Sequence, residues 1–223
     1  MSVIELNQIS KQFKIGNQEQ MILKPTDLVI NAGEFNAIVG PSGSGKSTLL
    51  TIIGALQQPT AGSIKINERE LTTINQKELS KLRFSEIGFI LQASNLVPYL
   101  TVEEQFELKY KVVGEKINKE RIHELMKDLS VTHLGKKYPE DISGGERQRV
   151  AIGLALLKQP KLILADEPTA SLDTEKAFEV IDIFKEITKK TKTTVVMVTH
   201  DIRMLKECDR ILEMKDGTLT EKE

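Results

Sequence analysis

Nine residues, Gly40 to Thr48 (GPSGSGKST), have the composition of a loop that holds phosphate. Their spacing fits G-x-x-x-x-G-K-[ST], after the apolar run Phe35 to Val39 and before a helical pattern, the context that gives the motif its meaning. Gly40, Gly43 and Gly45 allow the backbone to curl with its N–H groups inward, and Pro41, Ser42 and Ser44 complete the loop. The N-terminus of the following helix adds partial positive charge behind a bound phosphate. Lys46 suits the β- and γ-phosphates of a nucleotide, Ser47 offers a hydroxyl to Mg²⁺, and Thr48 closes the motif.

A second constellation is LILADEP, Leu162 to Pro168, where an apolar strand delivers Asp166 and Glu167 to the carboxyl edge of a sheet. Asp166 is suited to hold Mg²⁺, and Glu167 to orient and polarise the water that attacks a γ-phosphate. His200 closes another apolar strand, VVMVT, and is expected at the same edge against the γ-phosphate. Many kinases and GTPases carry comparable pairs, so these residues define nucleotide chemistry and not yet a reaction. Ser143, Gly144 and Gly145 open a further amphipathic helix, a second preorganised anion site in the same chain.

The elements that must position these groups are legible as alternation. Val3 to Ile9, Leu28 to Ile30, Phe35 to Val39 and Ser63 to Ile66 read as strands, and Leu49, Leu50, Ile53 and Leu56 as one face of a helix starting at Lys46. Ile87 to Leu91 reads as a short strand. Apolar residues then recur at three and four through Phe106, Tyr110, Ile122, Leu125 and Leu129, which predicts helices. Helices with Val150 to Ala155 and Ala177 to Ile187 flank the strands Leu162 to Ala165 and Thr194 to Val198, and Ile211 to Thr220 predicts a hairpin turning at Asp216 and Gly217. Alternating helices and apolar strands imply an α/β fold with a parallel sheet. With no repeat or linker, the expectation is one domain, 1–223, with a helical insertion at about 92–150.

Composition removes several alternatives. Lys+Arg number 31 and Asp+Glu 32, a net charge of −1, which predicts no nucleic-acid partner. Cys208 is the single cysteine, and the N-terminus lacks a basic-then-apolar leader, so the chain is expected to be intracellular. No apolar run is long enough to span a bilayer. His123, His133 and His200 stand far apart without zinc-ligand spacing.

ISGGERQRV, 23 residues before Asp166, resembles the signature S-G-G-[QE] of the ATP-binding cassette ATPases, and the resemblance covers the whole chain. It implies a P-loop NTPase (RecA-like) core, 1–91 and 151–223, with an N-terminal antiparallel β subdomain and a helical subdomain over 92–150. It implies ATP and Mg²⁺ as ligands. Gln92 then matches the glutamine that senses Mg²⁺ and water, Ala170 to Asp173 the loop that crosses a dimer interface, and Phe13 the aromatic that stacks on adenine. By the same resemblance two copies pack head to tail in an ATP-dependent homodimer, with Ser143, Gly144, Gly145, Glu146 and on to Gln148 of one covering the nucleotide of the other. Ile142 stands where Leu is commoner, and Leu154 where an arginine is often found.

Chain length separates this sequence from the repair and translation members of the family. The segments around Gly40, Gln92 and Ser143 resemble the branch that serves lipoprotein release, macrolide efflux and peptide resistance, and most closely the ATPase of Gram-positive heme exporters. That implies a transmembrane permease as partner, membrane contact only through it, a place at the cytoplasmic face, and export of a hydrophobic or toxic compound such as heme. Leu96, Val97, Tyr99, Leu100 and Val102 are the expected docking residues. The alternative is an ATP-driven signalling module that gates a membrane partner without transport.

Overall fold

Phe35 to Val39, Leu162 to Asp166 and Thr194 to Val198 are apolar along most of their length, which suits strands covered on both faces. A computed structural model describes residues 1–16 and 18–222. Its elements are β1 (Ser2–Ile15), β2 (Gln18–Asn31), β3 (Phe35–Val39), α1 (Lys46–Ile53), β4 (Ala61–Ile66), β5 (Arg69–Glu70), α2 (Gln76–Glu86), β6 (Ile87–Ile90), α3 (Val102–Val112), α4 (Lys119–Asp128), α5 (Gly144–Leu156), β7 (Leu162–Asp166), α6 (Thr174–Thr191), β8 (Thr194–Val198), β9 (Arg210–Lys215) and β10 (Thr218–Glu221).

The larger sheet has the order β10-β9-β3-β8-β7-β6, parallel except where β10 returns antiparallel on β9. Its faces are filled by two separate cores. Leu162, Leu164, Val196 and Val198 point to one with α1, α2 and the smaller sheet; Ile163, Ala165, Val195 and Met197 point to the other with α3 to α6. Period-two alternation of side chains divides a continuous apolar strand between two layers in this way. Phe35 and Phe184 seal the second core edge to face, 6.0 Å between ring centroids.

The smaller sheet, β2-β1-β4-β5, is antiparallel. Here the short strands expected from the sequence are parts of two 14-residue strands. The ladder shifts register between Leu6 and Ile9 and again beyond, and Gln8 adopts φ 50°, so bulges break the alternation that the reading depended on. α1 stops at Ile53, capped by Gly54, and Leu56 is 54% exposed, so it does not share the helix's buried face as expected. The weakly apolar α2 escaped notice because only Leu79 and Leu82 are buried. The terminal hairpin turns at Asp216 and Gly217 as expected, with φ 48° and 76°, the pair of positive values a two-residue turn demands.

Lys109 reaches from α3 to the carbonyl of Leu154 in α5, the position where the family often has arginine. Burial, helped by the charge of Lys158, pushes its amine down to about 8 from the ordinary 10.5. The unfolded chain therefore binds more protons between about pH 8 and 10.5, and this residue makes stability rise with pH through that window. Lys109→Met should flatten the slope and raise the unfolding free energy at pH 7 by roughly 3 kcal/mol, each pKa unit being about 1.4 kcal/mol. Urea titrations of both proteins at pH 7 and pH 10 measure it; an unchanged slope would exclude this cause.

Candidate active site

Four strands of the parallel sheet end at one edge, and their order in space is β3, β8, β7, β6. The residues that follow them are therefore, in sequence across the edge, the Gly40 loop, His200, Asp166 with Glu167, and Gln92. Adjacent strands lie about 4.8 Å apart, so the whole row spans only about 14 Å. This edge is where ligands bind in open α/β sheets.

The loop after β3 is held by contacts that allow little alternative. A Cβ on Gly40 would lie 2.0 Å from the Met214 carbonyl oxygen, at φ 146°, and one on Gly45 would lie 2.8 Å from that of Ile22, at φ 105°. Lys46 is buried, and its Nζ donates to the Gly40 and Pro41 carbonyls at 2.8 Å each, which fixes the ammonium inside the loop's curve. Gly40→Ala should cost about 2–4 kcal/mol through the clash and the backbone strain, and abolish ATP binding. Thermal unfolding with and without ATP reads both effects, and a variant with ordinary stability would remove the role given to Gly40.

α1 has Gly45 as its N-cap, no side-chain cap and no acidic residue in its first turn, whereas α3, α5 and α6 are each capped by a side chain. A phosphate fits the uncapped amides on charge and on geometry. Ser44 departs from a simple lining role: it is 4% exposed, its Oγ has no hydrogen-bond partner among the described residues, and its carbonyl accepts from Gly217 N–H at 3.2 Å. Ser42 and Ser47 are exposed.

Ser47 Oγ donates to Asp166 Oδ1 at 3.2 Å, joining the phosphate loop to the end of β7. A hydroxyl and a carboxylate in contact at the mouth of the loop form a hard-oxygen set that fits Mg²⁺. Glu167 adopts φ 51°, a left-handed conformation that is costly for a residue with a Cβ, and its N–H donates to the Val198 carbonyl at 3.0 Å. His200 is exposed, and its Nδ1 contacts Glu167 Oε2 at 2.5 Å. The backbone turn and the histidine together aim one carboxylate. Gln92 is exposed just past β6 and makes no hydrogen bond among the described residues; β6 pairs with β7, Ile90 opposite Ala165, so Gln92 and Asp166 both follow the paired ends of these strands.

Phe13, half-buried on β1, lies with Ile22, Gly43, Gly45 and Lys46 to Thr48 around a cleft of about 350 Å³. Lys11 Nζ stands 5.3 Å from the Phe13 ring centroid and donates to the Gln58 carbonyl, a cation on the ring's face. Ile22 and Lys11 were not legible as site residues, since an aliphatic or a lysine on a strand carries no motif. The antiparallel pairing of β1 and β2 brings Ile22 to the loop, and Lys11 reaches the Phe13 ring.

Among the described residues, Ser143 and its neighbours make no hydrogen bond to this edge. Ser143 caps α5: its Oγ accepts from Glu146 N–H at 3.3 Å, and Glu146 Oε2 accepts from Ser143 N–H at 2.7 Å. These bonds hold the Glu146 carboxyl below its ordinary range, and His133 Nε2 lies 3.5 Å from it. Gln148, expected among the residues that cover a partner's nucleotide, is 3% exposed, because α5 turns it into the core. Asp173 caps α6 by accepting from Lys176 N–H at 3.0 Å, and its carboxyl is lowered by the Lys176 ammonium it also binds.

The family model described as ABC transporter matches residues 23–170, more than half of the chain. The chain belongs to the ABC transporter family. It is an ATPase with the P-loop NTPase fold, the ATP-binding subunit of an ABC transporter. The cassette is 44% identical over 219 residues to a Staphylococcus saprophyticus protein named as hemin import ATP-binding protein HrtA, covering 97% of this chain and 98% of that one. It is 41% identical to the ABC transporter ATP-binding protein YvrO of Bacillus subtilis, over 97% and 95% of the two chains. Among solved structures, the dimeric post-hydrolysis state of the cassette MJ0796 of Methanocaldococcus jannaschii, bound to ADP and Pi, superposes with a TM-score of 0.89 at 37% identity over 98% of both chains.

Proposed function

We propose that this cassette hydrolyses ATP between two copies packed head to tail and drives a transmembrane permease from the cytoplasmic face of the membrane. The observation that carries the reading is the row of strand ends, which sets a phosphate loop, a histidine, two carboxylates and a glutamine along one edge. In this reading Phe13 stacks on adenine and the loop from Gly40 to Thr48 wraps the phosphates, with Lys46 on the β- and γ-groups. Ser47, Asp166 and Gln92 would hold Mg²⁺, which would neutralise phosphate charge. Glu167 accepts hydrogen bonding from the attacking water and takes its proton. His200 gives Nδ1 to Glu167, so a contact to the γ-phosphate falls to Nε2 and needs a proton there. Ser143, Gly144, Gly145 and Glu146 of one copy cover the nucleotide of the other, and Asp173 lies at the interface; the dimeric solved relatives support this assembly.

Residues 92–150 act as the helical subdomain and 1–91 with 151–223 as the catalytic core, with α5 running across the second boundary. The permease docks beside Gln92, where Tyr99 is 78% exposed; Val102, by contrast, is buried in the core and Leu96 packs against it, so neither belongs to an open apolar patch. Among the described residues no helix is long and apolar enough to cross a membrane. Purification from membranes of the native host should bring down an integral membrane protein identifiable by mass spectrometry. Intact ATPase activity with no such partner would overturn the permease reading.

The cargo we favour is hemin or a similarly hydrophobic, toxic compound, moved outward. Hemin is what the staphylococcal relatives' names mention, although those names speak of import, and transport is favoured over gating without transport. Export predicts that deleting the gene sensitises cells to added hemin; resistance or lower hemin uptake would reverse the direction.

A further inference from the structure

A cavity of about 720 Å³ lies away from the nucleotide cleft, between α4, the C-terminal end of α5 and the last turns of α6. That is within the ~300–1,000 Å³ typical of small-molecule sites. Leu125, Leu129 and Leu156 form a buried floor, with Ile183 and Ile187 half-buried beside it. The rim is cationic: Arg121, Lys161, Lys190 and Lys192 outnumber Asp128 and Glu186. Glu186 is engaged by Lys190 at 2.8 Å, which leaves Asp128 as the remaining acid among the cations.

The rim hydroxyls are also engaged. Thr191 donates to the Ile187 carbonyl at 2.8 Å and Thr193 to that of Pro160 at 2.9 Å. Arg121 is different: among the described residues its buried Nε has no partner, and its guanidinium meets Glu124 only at 3.8 Å. The Arg121 side chain is 26% exposed at the rim, so the terminal N–H groups of its guanidinium, rather than the buried Nε, can meet an incoming carboxylate. We propose that this cavity binds a free amphipathic carboxylate, its apolar chain or ring on the leucine floor and its carboxylate at Arg121 and Lys161. The occupant would touch the far ends of α5 and α6, helices about 20 and 27 Å long whose near ends follow Ser143 and Asp173.

Calorimetric titration of the full chain with decanoate, below its micellar concentration, tests this, with decyltrimethylammonium as the cationic counterpart. One saturable site for decanoate is expected, with binding of the cation at least roughly tenfold weaker. Arg121→Gln with Lys161→Gln should weaken decanoate by roughly tenfold or more, as loss of charge-assisted hydrogen bonds requires, and leave ATP affinity unchanged. Ile187→Trp, which fills the floor from a half-exposed position, should block decanoate in a folded protein. Equal binding of both amphiphiles, unaltered decanoate affinity in the double variant, or sedimentation with phosphatidylglycerol vesicles without decanoate binding would each overturn the proposal.

Discussion

Replacing Glu167 with glutamine should slow ATP hydrolysis by about 10²- to 10⁴-fold, the range a positioned general base contributes, while ATP binding stays intact. Glutamine keeps the size of the side chain and an oxygen that can accept from His200 Nδ1, so the 2.5 Å contact that aims the group survives in form. What it loses is the capacity to take a proton from water. The left-handed turn at Glu167 belongs to the backbone and is unaffected by the exchange. If two copies close on ATP as proposed and reopen on loss of the γ-phosphate, the variant should accumulate as a dimer in ATP, visible by light scattering, while phosphate release measures the rate. Hydrolysis at the wild-type rate would remove Glu167 from the role of base.

Lys46→Ala should weaken ATP binding by roughly ten- to a hundredfold, from about 1.5–3 kcal/mol for hydrogen bonds to a charged group. The structure sharpens the reason. Two carbonyls at 2.8 Å hold the ammonium before any phosphate is met, so its charge is delivered without the rotamer entropy that a free lysine would lose. Removing it leaves the Gly40 and Pro41 carbonyls facing an anion, an unfavourable arrangement. Calorimetry with ATP measures the loss, and thermal unfolding without nucleotide checks that the loop persists. An unchanged affinity would refute the assignment of the phosphate loop.

These two substitutions separate binding from chemistry because the groups sit on different strands. Lys46 follows β3 and Glu167 follows β7, with β8 between them carrying His200. Ser47 and Asp166 bridge the same gap at 3.2 Å. A site assembled from four strand ends is as rigid as the sheet that bears it, which keeps donors and acceptors oriented before substrate arrives.

By itself the sequence determined the phosphate loop, the paired carboxylates, the signature helix and the alternation of helices with buried strands. Each is a local property: glycine at the positions where a Cβ would strike a carbonyl, apolar residues at periods of 2 or 3.6, and polar groups directly after a strand. Tertiary structure alone decided the order β3-β8-β7-β6, and with it that His200 meets Glu167 rather than a distant group. It also brought Ile22 beside Phe13, turned Gln148 inward, left Leu56 outside its helix, and carried Lys109 to Leu154. Strand order, register and helix facing are set by which pairings fill both cores at once, a sum over contacts far apart in the chain that no window of residues contains.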